Sequence, residues 1–181
     1  MEREWIEEKV KDYINVVEVV AEVSRFVPQS TYAGMQRTLQ QEWTFVQRVV
    51  PNIDAFFKPL ESSIQSKLFS ELFGETVDDP LRLWLSLQIK KGGASIPDPE
   101  AVSKTNFYAS SHECDHLVEA VGKVGEFNVV THGNQMSEIR KWTKMEKLKG
   151  ADDWIDEHCK GVDGEAVRII ESLKEDGVGT W

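Results

Sequence analysis

Cysteine is scarce in this chain. Its 181 residues hold two, Cys114 and Cys159, far apart and without the C-x-x-C spacing of a metal or redox pair. A disulfide framework is excluded, and a reducing compartment is expected. Long apolar runs are missing too: no stretch approaches the roughly 20 residues a membrane span requires. The opening MEREWIEEKVKDY is charged and amphipathic, without the apolar centre of a signal peptide. These absences set the expectation of a soluble intracellular protein, cytoplasmic or nuclear, with no membrane partner. Positive charge is also in short supply, with 21 Lys+Arg against 31 Asp+Glu and a formal net charge of -10. A free-standing nucleic-acid binder normally presents a basic face, so any polyanion contact has to be local. Neither an internal repeat nor a low-complexity linker interrupts the chain.

What is present is apolar periodicity at helical spacing, in a chain whose 40% hydrophobic content suffices for a core. From Glu2 to Phe26, residues Ile6, Val10, Tyr13, Ile14, Val17, Val20 and Ala21 recur at intervals of three and four. A second helix is expected from about residue 31, with Gln29-Ser30-Thr31 offering a cap, Met35, Leu39, Trp43, Val46 and Val50 along it, and Pro51 at its end. A third carries Ile53, Phe56, Phe57, Leu60, Ile64, Leu68 and Leu72, with Asn52 or Asp54 as cap and Gly74 as stop. Pro59 either kinks it or marks its true start. These three helices are expected to pack through Val17, Leu39, Trp43, Val46, Leu60 and Ile64.

The stretch PLRLWLSLQIKKGGASIPDP, Pro80 to Pro99, organises the remainder. An apolar face of Leu81, Trp84, Leu85 and Leu87 gives way to a Lys-Lys-Gly-Gly turn and a double-proline exit, a fixed hinge with Asp98 capping the next helix. From Asp98 to about Val121 the pattern reads as one helix, or as two broken near Ser110-Ser111-His112-Glu113. Phe127 to Val130 suggests a short extended piece, Met136 to Leu148 a basic helix, and Trp154 to Cys159 and Glu165 to Leu173 short amphipathic segments before a frayed tail. The expected fold class is therefore all-α, an irregular multi-helix bundle. It divides into 1–89, 90–148 with the hinge at 90–99, and a looser helical tail at 149–181.

Two patterns bear on chemistry. His112-Glu113-Cys114-Asp115-His116 matches H-E-x-x-H, which on a helix sets two imidazoles on one face as zinc ligands beside a glutamate general base. The surrounding charge is unlike that of a zinc peptidase, so a polar helix surface is the simpler account of His112 and His116. Lys90, Lys91 and the run Arg140, Lys141, Lys144, Lys147 and Lys149 are candidates for phosphate contact, against the alternative of a solvated helix face. Trp43 and Trp84, set among Leu and Val at helical spacing, read as core residues rather than as base-stacking platforms.

The order PQSTYAGMQRTLQQEWTFVQRVVP, PLESSIQSKLFSELFG, LQIKKGGASIPDP and YASSHECDHLVEAV resembles the C-terminal, thumb-side region of reverse transcriptases encoded by eukaryotic retroelements. The resemblance spans roughly residues 5 to 145. It runs from Pro28, Gln29, Tyr32 and Ala33 through Trp43 and Glu61 to Lys91, Gly92, Gly93, Ile96 and Pro99, and ends at Ala109-Ser110. That family carries a Gly-Gly-Leu-Gly-Ile signature preceded by a proline. Here Gln88 stands where the signature has proline, and Ala94-Ser95 stand where it has Leu-Gly. The palm aspartates that hold two metal ions on an aromatic-x-Asp-Asp hairpin have no counterpart: Asp78-Asp79 read as loop, and Asp152-Asp153 follow Gly-Ala. The resemblance thus implies a non-catalytic relic or fragment of the part that grips template and primer. It implies no cofactor, no small-molecule substrate and at most weak, non-specific nucleic-acid contact. A zinc-dependent hydrolase and a helical module that meets a protein partner are the alternatives.

Overall fold

The first helix keeps the rhythm its sequence sets. In the computed structural model, which describes residues 2–122 and 127–148, α1 spans Glu2–Ser24 and buries Ile6, Val10, Tyr13, Val17 and Ala21. Their intervals of four, three, four and four hold them on one stripe of a regular α-helix. Ser24 then donates its hydroxyl to the Ala21 carbonyl at 2.6 Å, and the chain turns two residues before the expected end, leaving Phe26 85% exposed.

The next two helices follow a different rhythm and deform to suit it. Helix α2 runs over 28–49, and its buried residues from Thr31 through Met35 and Leu39 to Trp43 repeat every four, with Val46 and Gln47 buried beyond them. At about 100° per residue, each such step overshoots a turn by about 40°, so three steps would rotate the apolar face by about 120°. The helix widens into a π turn at Met35–Leu39, between α-helical Pro28–Gly34 and Gln40–Val49, and the extra residue in that turn takes back about 100°. Helix α3, over 54–73, repeats the device. Leu60, Ile64, Leu68 and Leu72 recur every four, and a π turn at Ile64–Phe69 separates Lys58–Ser63 from Ser70–Phe73.

Both helices start otherwise than their sequences suggest. Helix α2 begins at Pro28, whose fixed φ and missing N–H suit a first turn, so Thr31 is inside the helix and buried rather than capping it. Neither Asn52 nor Asp54 caps α3. Asn52 instead takes a left-handed φ of 56°, which asparagine tolerates, and a 3-10 turn at Asp54–Phe57 leads into the α-helix. Pro59 lies in the first α-helical turn and marks its start without kinking it.

Helix α1 packs across α2 and α3, and the core between them includes the fully buried Val17, Trp43, Phe57, Leu60, Ile64, Leu68 and Phe69. Leu39 and Val46 are buried with them, and Tyr13 meets Trp43 edge-on at 5.9 Å. Trp84, expected in the core, is only half buried.

Helix α4, Asp79–Ser86, is capped by Asp78, whose Oδ1 accepts from the Leu81 N–H at 2.9 Å. The Asp78-Asp79 pair therefore begins a helix and is not loop. The buried residue of α4 is a cation. Arg82 forks onto Glu61 of α3, with Nε 2.5 Å from Oε1 and Nη2 2.7 Å from Oε2, lies 5.1 Å over the Phe69 ring, and donates Nη1 to the Ile96 carbonyl at 2.9 Å. Burial pushes the Glu61 carboxyl above its ordinary range, with the Arg82 hydrogen bonds pulling against it.

The hinge folds back on the end of α4. Ala94 N–H reaches the Leu85 carbonyl at 3.0 Å and Ser95 N–H the Leu87 carbonyl at 2.8 Å, while the Tyr32 hydroxyl donates to the Ala94 carbonyl at 2.8 Å. Gly92 has a φ of 80°, and a Cβ on Gly93 would stand 2.3 Å from the Leu87 carbonyl oxygen, so both positions require glycine. Ser95 is also left-handed, at φ 54°.

Helix α5, Pro99–Gly122, is one unbroken helix through Ser110 to Glu113, with Asp98 Oδ1 accepting from the N–H groups of Glu100 at 2.7 Å and Ala101 at 3.2 Å. Helix α6, Val129–Leu148, begins earlier than expected. Asn128 Oδ1 accepts from the Thr131 N–H at 3.0 Å, so Val129 and Val130 start a helix and are not extended. All regular structure is helical among the described residues, and none of their helices is long and apolar enough to cross a membrane. The segments Trp154 to Cys159 and Glu165 to Leu173 and the tail lie outside the described residues.

If the π turn in α2 absorbs one surplus residue, deleting exposed Arg37 leaves buried positions spaced four and three apart in a plain α-helix. The variant should unfold cooperatively with a loss of no more than about 2 kcal/mol. Deleting exposed Lys11 rotates the two halves of α1 by about 100° against each other and should abolish cooperative unfolding. Urea melts of the two deletions, compared by midpoint and slope, check this; equal damage would refute it.

Candidate nucleic-acid interface

Three helices meet around a polar cleft to which the basic run contributes. The Gln40–Val49 part of α2 packs on α5, and α5 packs on α6, leaving a cavity of about 530 Å³ lined by residues that include Arg48, Gln88, Asn106, Glu113, Arg140, Lys144 and Lys147. Four cations face one carboxylate there, in a chain whose net charge is -10.

The floor is a relay of hydrogen bonds. Lys147 Nζ donates to Asn106 Oδ1 at 2.8 Å, Asn106 Nδ2 donates to Gln47 Oε1 at 2.8 Å, and Gln47 Nε2 donates to the Pro99 carbonyl at 2.7 Å. Gln47 and Asn106 are both buried, and each amide uses one donor and its acceptor on the relay. Burial holds the Lys147 ammonium below its ordinary value, and the neighbouring Arg48 guanidinium lowers it further. Arg48 Nη2 stands 3.3 Å from Glu113 Oε2.

Of the expected phosphate contacts, Arg140 and Lys144 face this cavity, whereas Lys141 is exposed and is not one of its walls. Lys90 and Lys91 belong to the 3-10 turn Ile89–Lys91, and Lys91 is half-buried there. The side chains of Lys90 and His116 lie outside the described residues, as does Lys149. Gln88, just before the turn, lines the cavity, and Lys91 does not. Lys147 of the basic run also lines the cavity, whereas Arg48 and Asn106 were not expected as site residues. The spacing of 140, 144 and 147, four then three, puts those three cations on one helical stripe and was the available signal for separating them from Lys141.

Two residues of the H-E-x-x-H pattern, His112 and Glu113, are engaged elsewhere. Glu113 is bound to Arg48, and His112 stacks on Tyr108 at 3.8 Å with Nδ1 3.0 Å from the Tyr108 carbonyl. Tyr108 in turn packs against Trp142 at 4.5 Å. Among the described residues no three His, Cys, Asp or Glu side chains gather as metal ligands. Comparison of the chain with protein-family models, with curated proteins and with solved structures finds no match.

The depressed Lys147 pKa has a defined consequence for stability. A base whose folded pKa is lowered contributes in full above its unfolded value, 10.5, and that contribution is lost as pH falls through the folded value. The unfolding free energy of the wild type relative to Lys147→Met should therefore rise as pH is raised from neutral toward 10.5. A difference that stays flat across that window would show that the ammonium is not desolvated.

Proposed function

We propose that the chain is a non-catalytic, thumb-side relic or fragment of a retroelement reverse transcriptase, retaining weak and non-specific contact with nucleic-acid backbone. The observation that carries this reading is the backbone of the hinge. The signature it resembles has glycine at three positions, and at each of them the backbone of this chain favours glycine. Gly92 is left-handed, Gly93 has no room for a Cβ, and Ser95, which replaces the third glycine, sits at φ 54°. Gln88, which replaces the signature's proline, has φ -63° and ψ 149°, and Leu87 before it has φ -65° and ψ 159°, the conformations that a proline and its predecessor require. Two of the three departures, Gln88 and Ser95, thus occupy backbone shaped for the residues they replace.

Restoring those residues tests the structural half of the reading. Gln88→Pro with Ser95→Gly should raise stability by about 1–2 kcal/mol, from relief of left-handed strain at 95 and reduced unfolded-state entropy at 88. A double variant less stable than the wild type by urea denaturation would remove the main support.

Nucleic-acid contact is supported by the cations at Arg48, Arg140, Lys144 and Lys147 and by Lys91 on the hinge turn, and opposed by the net charge of -10. A handful of phosphate contacts gives a binding constant that falls steeply with salt, so a dissociation constant weaker than about 10⁻⁵ M is expected near physiological salt, without sequence preference. A salt titration of binding to an RNA–DNA hybrid checks this, with Lys90→Ala/Lys91→Ala and Arg140→Ala/Lys144→Ala as variants. Tight binding that neither double substitution weakens would defeat the reading. The second reading, a helical interaction module, has in its favour an apolar groove between α1 and α2 lined by Val16, Val20, Val23, Val27, Met35 and Leu39.

A further inference from the structure

Three features distinguish the cavity between α2, α5 and α6 from a solvated helix face. It is concave, and its volume of about 530 Å³ falls within the range of roughly 300–1,000 Å³ typical of small-ligand sites. Its charge excess is built on packed elements. The Lys147 ammonium is held at 2.8 Å by Asn106, which is itself buried and tied through Gln47 to the hinge at Pro99. The one carboxylate on the walls, Glu113, is bonded to Arg48 at 3.3 Å, and among the described residues Arg140 and Lys144 have no ionic partner.

The four cations are exposed at the cleft and repel one another, and an entering anion relieves that repulsion. We propose that this cavity binds a phosphate monoester, the group carried by a free nucleotide or by the 5′-phosphorylated end of a polynucleotide. A monoester bears a charge of about -1.5 to -2 at pH 7, against -1 for an internal backbone diester, and so better matches an excess of three positive charges. A terminal phosphoryl group also enters a concavity that a backbone phosphate, flanked by sugars on both sides, reaches only with its neighbours. Three N–H donors of Lys147, one of them given to Asn106, the Lys144 ammonium and the Arg140 fork surround such a group. The hydroxyls of Thr44 and Thr143 also line the cavity. Each donates to a helix carbonyl, Gln40 at 2.7 Å and Ile139 at 2.8 Å, and therefore faces a ligand as an acceptor for a sugar hydroxyl. This inference shares Arg140 and Lys144 with the duplex-binding reading but does not need it, since it holds equally for a chain that never touches a duplex.

The test is calorimetric titration of the full chain, at low fixed ionic strength, with adenosine 5′-monophosphate and with adenosine. The monophosphate should bind at least about tenfold more tightly, a difference that charge-assisted hydrogen bonds to one phosphoryl group readily supply. Arg140→Ala/Lys144→Ala alters exposed positions, leaves the Asn106–Gln47 relay intact, and should erase most of that preference. Lys147→Met should erase it too, with circular dichroism confirming that both variants are folded. A matched pair of oligonucleotides, 5′-phosphorylated and 5′-hydroxyl, identifies the source of the group. Discrimination between the two supports a polynucleotide end, and monophosphate binding without it supports a free nucleotide. Equal affinity for monophosphate and nucleoside, or a folded Arg140→Ala/Lys144→Ala variant that binds as the wild type does, would overturn the proposal whatever the hybrid titration shows.

Discussion

A buried guanidinium holds the hinge in place. Arg82 satisfies both oxygens of Glu61 and, with its remaining arm, the carbonyl of Ile96 in the middle of the turn. An apolar residue of the same size would avoid the desolvation of two charges but would leave that carbonyl without its Arg82 donor, and removing either ion alone costs about 3–5 kcal/mol. The pair therefore serves position more than bulk stability. It locks α4 to α3 and points the chain that follows, and the Phe69 ring 5.1 Å away gives the cation a further favourable surface.

Everything beyond the hinge takes its place from that lock. With Ile96 fixed by Arg82 and Ala94 by Tyr32, Pro99 arrives where its carbonyl accepts from Gln47, and Asp98 starts α5 at that point. Gln47 then orients Asn106, and Asn106 holds Lys147 of α6. A single line of hydrogen bonds thus joins the hinge to the cationic cavity. The hinge and the cavity are thus tied together, although Lys91 of the hinge does not line it.

Much of the helical frame was legible because burial leaves a period in the sequence. The stripe from Ile6 to Ala21, the core role of Trp43, Leu60 and Ile64, the stop at Gly74 and the cap at Asp98 all follow from spacing and local chemistry, which act over a few residues. The starts of α2 and α6 were misread for the same reason. Hydroxyls at 29–31 and valines at 129–130 have local preferences that Pro28 and Asn128, by setting the first turn, override. The π turns in α2 and α3 were not anticipated, because Thr31 reads as a cap and the intervals from Met35 to Val50, four, four, three and four, suit an ordinary α-helix.

The sequence by itself determined that the chain is helical, which residues of the first three helices face inward, and that a turn requiring glycine separates the two halves. Each of these depends on backbone sterics and on apolar surface leaving water, and both act through neighbours along the chain. Only the tertiary structure decided which cations count. Arg48 and Lys147 lie far apart in sequence, Glu113 belongs to a motif suggestive of metal, and Lys141 differs from Arg140 by a single step. Which of them share a cavity depends on how α5 and α6 are rotated against α2. That rotation is set by the buried Gln47 and Asn106 contacts, long-range pairings between polar residues that no local period announces.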